Sequence, residues 1–217
     1  CILCATGAVI YSIYHYNSLT VPVSETISVG VFPSTDPVVV ATTDIRATLK
    51  SLQGAPGIKE GKPYLVPLVT DAETLTPIGK EAFFSFIEST PTEPLVASTD
   101  LIRLGVFNNG FAVVPFVVMS APDPQITSKE LLIAEPKLVQ LFYQALGIDT
   151  STITVEAGRT FESTYIYNLP VRILKQKSAS GEDVPLLLYG YATNNIVVVT
   201  TDASILKAVY DTIIRQQ

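Results

Sequence analysis

The sequence predicts an α+β protein with antiparallel sheets, packed helices and a recurring hairpin-then-helix unit. Two stretches, "GVFPSTDPVVVATTDIRATLKSL" from Gly30 and "GYATNNIVVVTTDASILKAVYDTI" from Gly190, share a glycine, a short turn, a Val/Ile run, Thr-Thr-Asp and a helix-like segment. A looser third copy starts at Gly105. The 15 prolines and the many Thr, Val and Ile residues favour strands and turns over a helical bundle. We therefore expect repeated β-β-α units of a ferredoxin-like or similar type.

The recurring unit indicates a building block rather than a site used twice, because each shared residue has a structural role. A valine run suits a buried strand, Thr-Thr-Asp suits the start of a helix, and the turn residues suit a hairpin. Asp44 and Asp202 are accordingly expected to cap helices.

Residues 1–16, "CILCATGAVIYSIYHY", have the composition expected for the C-terminal part of a transmembrane helix. They carry no formal charge and end in amphipathic aromatics of the kind found at a membrane–water interface. The predicted interface residues are Tyr11, Tyr14, His15 and Tyr16. Because a spanning helix needs about 20 residues, we expect this one to begin upstream. No Lys or Arg lies between these aromatics and Arg46, which favours the extracytoplasmic side for the domain that follows.

Other interpretations of this segment are open. A buried hydrophobic helix or strand also fits it. Cys1 could be the lipidated first residue of a bacterial lipoprotein, although Ile-Leu follows it rather than a polar tether. A type IV pilin would need glutamate where Ala5 stands. Cys1 and Cys4 lack the four ligands of a structural zinc site and the adjacent histidine of a c-type haem, so we expect no metal or other cofactor.

Residues 17–90 are predicted to form a first α+β unit. Strands are expected at Ile27–Phe32 and Val38–Val40, and then a helix capped by Thr43 or Asp44. The buried face of that helix is predicted to hold Ile45, Leu49 and Leu52. A short strand, "YLVPLV", precedes a second helix with Thr76 as its N-cap and Pro77 at its first position. The apolar face of the second helix is predicted to hold Phe83, Phe84 and Ile87.

Thr90–Pro94 is the predicted internal boundary, and residues 91–217 are predicted to form a second α+β unit. Asn108-Asn109-Gly110 predicts a hairpin turn, and Pro115 weakens the second strand or places it at a sheet edge. "TSKE", Thr127–Glu130, matches a capping box. In the helix that follows, Pro136 is expected to cause a kink or restart, and Gly147 to end it. Its inward face is predicted to hold Leu138, Leu141, Phe142 and Ala145.

The last part of the chain predicts a strand meander and a terminal helix. "TFESTYIYNL", "VRILKQ" and "VPLLLYGYA" are expected to be strands, with a turn at "SASGED" between the second and third. After Asn194-Asn195, "IVVVTTD" predicts one more strand. The helix that follows is predicted to bury Ile205, Leu206, Val209 and Ile213.

Few residues in the chain support catalysis. A single histidine removes most triad and multi-histidine metal sites, and the nucleophile-elbow, phosphate-loop and dinucleotide-binding glycine motifs are absent from the sequence. "SILK" places Ser204 one turn before Lys207, the spacing of a Ser-Lys nucleophile, but its companion motifs are missing. Glu130 and Glu135 point in different directions on a helix. We therefore expect a protein that is not an enzyme.

Strand tyrosines are the remaining candidates for a binding site or interface. They are Tyr165, Tyr189 and Tyr191, from the stretches "YIY" and "LYGY". Such residues could line a pocket, whereas strand tyrosines more commonly form core contacts or cross-strand pairs.

The order of elements resembles that of a group of uncharacterised single-pass membrane proteins from small-genome candidate-phyla bacteria. The matching stretches are "GVFNNGFAVVPFVV", "ELLIAEPKLVQLF" and "YNLPVRILKQKSASGEDVPLLLYGYATNNIVVVTTDASILKAVYDTI", which span most of residues 100–214. The group tends to have Trp-Glu where this chain has Ala134-Glu135. The resemblance implies membrane anchoring, with an α+β domain outside the cytoplasm.

The charge and composition of the chain limit the classes of function that we expect. The net charge is −6 and the basic residues are scattered, so nucleic-acid binding is not expected. Only 16% of the residues are charged, against about 25% in typical domains. We expect a membrane-anchored, extracytoplasmic structural or assembly module that acts through protein–protein contacts, as a homo-oligomer or within a pilus, secretion or other envelope complex. The alternatives are a small-molecule or glycan binding or sensory domain and, third, a Ser-Lys hydrolase.

Overall fold

The computed structural model describes residues 39–40, 44–53, 57–70, 77–148, 160–178 and 180–215. The predicted membrane segment Cys1–Tyr16, with Tyr11, Tyr14, His15 and Tyr16, lies outside these residues, as does the predicted strand Ile27–Phe32. Among the helices of the described residues, none combines the length and apolar character needed to cross a bilayer.

The predicted α+β class is confirmed, and the described strands form one large antiparallel sheet and one small parallel pair. The strands are β1 (Val39–Val40), β2 (Pro63–Leu65), β3 (Leu68–Val69), β4 (Leu101–Asn108), β5 (Val113–Ser120), β6 (Glu162–Ile166), β7 (Leu169–Lys177), β8 (Asp183–Thr193) and β9 (Ile196–Thr200). The antiparallel sheet has seven strands in the order β2-β4-β5-β9-β8-β7-β6, and the parallel pair joins β1 to β3.

Six α-helices are present in the described residues. They are α1 (Ile45–Gln53), α2 (Lys80–Phe86), α3 (Glu93–Ala97), α4 (Pro124–Ala134), α5 (Leu138–Phe142) and α6 (Ala203–Ile214). A 3-10 turn at Glu135–Lys137 joins α4 to α5, so Pro136 restarts the helix as predicted. Helix α5 ends at Phe142, five residues before Gly147, where the sequence predicts its end; Gly147 has φ +64° and lies at the end of the turns that follow.

The helices pack on both faces of the sheet. Val197 and Val199 belong to the core beneath α1 to α5, whereas Ile196 and Val198 belong to the core beneath α6. All five residues of β9 are buried for this reason. A strand covered on both faces has a continuous apolar sequence rather than an alternating one, and "IVVVT" has that pattern.

Two of the predicted hairpin-then-helix units are present side by side in the sheet. One is β4–β5–α4 and the other is β8–β9–α6, and β5 pairs directly with β9. Leu131 of α4 and Leu206 of α6 belong to the cores on opposite faces. The two units therefore share an order of elements but differ in the face on which the helix packs.

The second predicted helix, α2, begins later than the sequence indicates. Pro77 forms a β-bridge with Val69, and the backbone N–H of Ile78 donates to the carbonyl of Leu68 at 3.1 Å. Because these contacts keep the chain extended at Pro77, the helix starts at Lys80 and not at Pro77. The predicted apolar face is nevertheless buried, with Phe83, Phe84 and Ile87 in the core.

The predicted capping box at Thr127–Glu130 is wrong. Asp123 is the N-cap of α4, and its side chain accepts hydrogen bonds from the backbone N–H groups of Gln125 and Ile126. Pro124 occupies the first turn, where its missing N–H costs nothing. Thr127 lies inside the helix, fully buried, and its hydroxyl donates to the carbonyl of Ser98 at 2.7 Å.

The predicted boundary at Thr90–Pro94 leads directly into α3. Leu95 of α3 is fully buried in the core beneath α1 to α5. Strand β2, which precedes the boundary, pairs with β4, which follows it. The seven-stranded sheet therefore contains strands from both sides of this point.

Candidate functional site

The three predicted tyrosines lie on the same face of the sheet but differ in exposure. Register pairs Ser163 with Arg172 and Arg172 with Tyr189, so Tyr165, two residues after Ser163, points to the face of Tyr189 and Tyr191. Tyr189 is buried and Tyr191 is half-buried, whereas Tyr165 is 78% exposed. Strand β7 separates Tyr165 from the other two. A binding role for these residues stays a prediction.

Tyr189 belongs to a polar network that joins the sheet to the 3-10 turn. The guanidinium of Arg172 donates to both carboxylate oxygens of Glu135, at 2.7 and 2.8 Å. The phenol of Tyr189 donates to Glu135 Oε1 at 2.8 Å, and Arg172 also donates to the hydroxyl of Ser163 at 2.7 Å. Bidentate arginine–carboxylate pairs are among the strong hydrogen bonds of proteins.

The protonation states in this network suit a structural role. Burial, together with the hydrogen bond to the Glu135 carboxylate, strongly raises the pKa of Tyr189, so its phenol stays protonated and donates. The hydrogen bond to Glu135 raises the pKa of Arg172. A phenol that keeps its proton cannot act as a base, and a carboxylate occupied by three donors has little capacity left for a substrate. The network fastens the start of the 3-10 turn to β7 and β8.

Tyr191 makes a second contact between the sheet and α4. Its phenol donates to the carbonyl of Pro124 at 2.9 Å, and the hydroxyl of Ser128 donates to it at 2.9 Å. The first turn of α4 is thereby fixed over β8. Tyr189 and Tyr191 thus hold the two ends of one helical segment on the sheet.

The geometry around "SILK" does not form a Ser-Lys pair. The hydroxyl of Ser204 donates to Asp202 Oδ1 at 2.7 Å, and the ammonium of Lys207 pairs with Asp211 one turn further along α6. Ser204 is therefore part of the N-terminal cap of α6. The side chain of Asp202 also accepts a hydrogen bond from the backbone N–H of Ser204, at 2.9 Å. Lys207 has the partner expected of a solvated i, i+4 pair.

Asp202 also connects α6 to the turn of the β4–β5 hairpin. Asn109 Nδ2 donates to Asp202 Oδ2 at 2.9 Å, across 93 residues of sequence. Burial acts to raise the pKa of this carboxyl, but the hydrogen bonds from Asn109 and Ser204 outweigh it and lower the pKa below its ordinary value. Asp202 is a helix cap as predicted, and a bond between two distant elements as well.

Metal binding finds no support in the part of the chain that the structure describes, where no three His, Cys, Asp or Glu side chains are grouped closely enough to hold an ion. Lys80, which could serve as a cation for a ligand, instead donates to the carbonyls of Val96 and Thr99 at 2.8 and 2.7 Å. It therefore helps to close the end of α3.

The most distinctive surface feature is a set of exposed apolar side chains. Helix α4 contributes Ile126, Leu132 and Ile133, exposed by 52%, 50% and 59%. The others are Phe111, Tyr165, Tyr167 and Ile214. The sequence does not single out the exposed residues of α4, because the apolar positions of this helix do not show which side the sheet covers. Nor does any local pattern pair Glu135 with Arg172, which are 37 residues apart.

Comparison of the chain with protein-family models, with curated proteins and with solved structures found no match.

Proposed function

We propose that this chain is a membrane-anchored, non-enzymatic extracytoplasmic module that acts through protein–protein contacts in an envelope assembly. In this proposal residues 1–16 supply the end of the membrane anchor, and the α+β domain carries the contacts. The observation that carries the proposal is the solvent side of α4, where Ile126, Leu132 and Ile133 are each at least half exposed.

Helix α4 has more apolar surface than its own packing uses. Its buried residues are Thr127, Leu131 and Ala134. A helix on the surface of a soluble domain usually turns charged or polar side chains to solvent, but α4 carries only Lys129 and Glu130 as charged residues. Ile126 and Ile133 are seven residues apart, two turns along one stripe of the helix. Such a stripe is typical of a surface that another protein covers.

The polar networks beneath α4 support the same function. Tyr191 and Ser128 fix the start of the helix, and Glu135, bound to Arg172 and Tyr189, fixes the residue that follows its end. A surface that is rigid before it binds loses less conformational entropy on association. The helix is therefore held ready for a partner without any rearrangement of the sheet.

A test replaces Ile126, Leu132 and Ile133 with glutamine in the full-length chain, extracted in mild detergent from its native membranes. Glutamine keeps helix propensity while removing the apolar contact. The expected result is a complex above monomer mass for the wild type and a clear fall in mass for the triple variant, measured by light scattering. The matched control, Gln125→Ala with Lys129→Ala on the same exposed side, keeps the wild-type mass. Equal masses for the wild type and the triple variant would contradict the proposal.

A second candidate, binding of a small molecule or glycan, is favoured by the exposed tyrosines of the β6–β7 hairpin. Tyr165 and Tyr167 are 78% and 55% exposed, and exposed aromatic rings can stack on sugars. Because the chain has no tryptophan, tyrosine fluorescence would report on binding directly. Titration with a glycan panel should change the fluorescence of the wild type but not of Tyr165→Ser. An unchanged signal in the wild type would remove this candidate.

A further inference from the structure

The turn of the β4–β5 hairpin contains the one asparagine of the chain that is followed by glycine, Asn109-Gly110. In such a pair the backbone nitrogen of the glycine can attack the side-chain amide carbon of the asparagine. No glycine side chain shields the approach, and the two reacting groups are joined by a short tether. Gly110 is exposed and Asn109 is half-buried, so water reaches the turn. The pair is therefore chemically competent to lose the asparagine amide.

The reaction consumes only water. The nitrogen of Gly110 loses its proton to solvent and bonds to Asn109 Cγ. The bond from Cγ to Nδ2 breaks, and Nδ2 takes up a proton from solvent and leaves as ammonia, so that a succinimide ring remains. Water then opens the ring at one of its two carbonyl carbons. The product is aspartate or isoaspartate, and in either form a free carboxylate stands in the turn in place of a neutral amide.

In the folded structure the reacting groups are engaged in hydrogen bonds within the turn. Asn109 Oδ1 accepts from the backbone N–H groups of Phe111 and Ala112, at 3.0 and 2.9 Å. The N–H of Gly110 donates to Asn108 Oδ1 at 3.0 Å. The attack requires the Gly110 nitrogen to give up its proton and the amide to turn toward it. The closed turn therefore opposes the reaction.

A further restraint comes from outside the turn. Asn109 Nδ2, the atom that would leave, donates to Asp202 Oδ2 at 2.9 Å. Asp202 is itself fixed at the start of α6, where the backbone N–H and the hydroxyl of Ser204 donate to its Oδ1 at 2.9 and 2.7 Å. Hydrogen bonds to charged groups contribute more than those between neutral groups. The contact with Asp202 is therefore expected to be the strongest of the bonds that hold the amide.

The product carboxylate is unable to restore that contact. Burial acts to raise the pKa of Asp202, but the hydrogen bonds from Asn109 and Ser204 outweigh it, so the carboxyl is ionised at neutral pH. An aspartate at position 109 would bring a second carboxylate to an oxygen that now accepts a hydrogen bond, and like charges at this distance repel. Glu60 adds to the repulsion, because a Cβ placed on Gly110 would lie 2.9 Å from Glu60 Oε1.

We propose that Asn109 is a deamidation site gated by its bond to Asp202, and that the reaction permanently releases the β4–β5 turn from α6. The attack proceeds when the turn opens locally, at a rate set by the population of the open turn. The carboxylate that forms then keeps the turn open. Phe111, 98% exposed, directly follows the pair, so the reaction changes how this apolar side chain is presented. The modification does not depend on the proposed assembly role.

The first test removes the gate and keeps the helix cap. In Asp202→Ser a hydroxyl still caps α6, but the carboxylate that binds Asn109 is gone. The full-length protein is incubated in mild detergent at neutral pH, and peptide mass spectrometry follows the replacement of the Asn109 amide by a carboxyl. The amide should be lost at least about fivefold faster than in the wild type, because losing a hydrogen bond to a charged group raises the population of the open turn.

Asp123→Ser, the equivalent change at the cap of α4, is the matched control. Asp123 binds only backbone N–H groups of its own helix, so Asn109 should lose its amide at the wild-type rate in this variant. The asparagines that are not followed by glycine serve as an internal reference and should keep their amides over the same time.

The second test asks whether the product meets Asp202. Asn109→Asp imitates the product and should lower the urea midpoint of unfolding in the wild-type background, because it replaces a hydrogen bond with repulsion. In the Asp202→Asn background the same change should cost little, since donor and acceptor then exchange roles across the contact. A double-mutant cycle measures the difference.

Four results would overturn the proposal. Asn109 could keep its amide in both the wild type and Asp202→Ser, or lose it at equal rates in the two. Asp123→Ser could accelerate the loss as much as Asp202→Ser, which would assign the reaction to a general loss of stability. Asn109→Asp could cost the same in both backgrounds, which would show that the product carboxylate does not meet Asp202.

Discussion

Gly105 and Phe116 occupy paired positions on β4 and β5. The ring of Phe116 lies over the glycine, so that a Cβ at residue 105 would be 2.3 Å from its Cζ atom. A side chain of any size would meet a fully buried ring. Gly105 is therefore required by the packing of one aromatic side chain, and its φ is not the reason.

Gly105→Ala should destabilise the domain by about 1–3 kcal/mol, because inserting a methyl group into a packed core forces a shift of the ring or backbone. Chemical denaturation of the full-length chain measures the change in free energy of unfolding. Gly57→Ala serves as the control, since a Cβ there meets nothing within 4 Å. A Gly105 variant as stable as the Gly57 variant would show that Phe116 can move at little cost.

Gly190 illustrates the same effect in the recurring unit. A Cβ there would be 2.7 Å from the carbonyl oxygen of Pro170 and 3.4 Å from Leu206 Cδ2. The glycine at the head of the unit thus permits the close approach of β7 and of α6 to β8. Packing thus explains why the recurring unit has a glycine at this position.

At the scale of the elements, two helices begin at an aspartate, and the two caps are not equivalent. Asp123 binds only backbone N–H groups at the start of α4. Asp202 caps α6 and also receives a hydrogen bond from Asn109 of the β4–β5 turn. Loss of the second cap therefore releases a hairpin as well as a helix end.

Asp202→Ala should lower the free energy of unfolding by more than the ~1 kcal/mol typical of a lost N-cap, and by more than Asp123→Ala. Chemical denaturation compares the two variants, whose caps differ by the bonds that Asp202 receives from Asn109 and from the Ser204 hydroxyl. Equal losses for the two variants would show that these two side-chain bonds add nothing to stability.

The stabilisation that Asp202 provides should depend on pH. The folded state lowers the pKa of Asp202 below its ordinary value of 3.8, so the stabilisation is present above that value and is lost as the pH falls through the folded-state pKa. The stability difference between the wild type and Asp202→Ala should therefore shrink as the pH is taken below about 4. A difference that stays constant down to pH 2 would mean that the carboxylate charge is not involved.

At the scale of the whole molecule, the layer of helices is joined to the sheet by an ion pair. Glu135 stands where α4 ends, and Arg172 and Tyr189 stand on neighbouring strands. The side chains of Arg172 and Glu135 are 26% and 14% exposed. Removing one partner of such a pair leaves the other poorly solvated.

Glu135→Gln should cost about 1–3 kcal/mol of stability, the range for losing charge-assisted hydrogen bonds at a partly buried site. Arg172→Met removes the cation and should cost a similar amount. The double variant should lose less than the sum of the two, and a double-mutant cycle in urea measures that coupling. Strict additivity would show that the two side chains do not act together.

Parts of the fold and of the site could be predicted because their causes are local. The hairpin at Asn108-Asn109-Gly110 and the buried face of α6 follow from turn chemistry and helical periodicity. The start of α2 and of α4 could not, because a β-bridge at Pro77 and a buried bond from Thr127 to Ser98 depend on other elements. The tyrosines were found as candidates, but their exposure could not be predicted.

The sequence by itself determined the α+β class, the recurring strand–turn–strand–helix order, the restart at Pro136 and the cap at Asp202. These depend on backbone geometry and on neighbours within a few residues. Only the tertiary structure decided that α4 and α6 pack on opposite faces, that Glu135 meets Arg172 and Tyr189, and that Phe111 stands almost wholly in water. The contacts of Glu135 join residues 37 and 54 positions apart. These contacts and exposures follow from the order of strands in the sheet, which no local sequence pattern predicts.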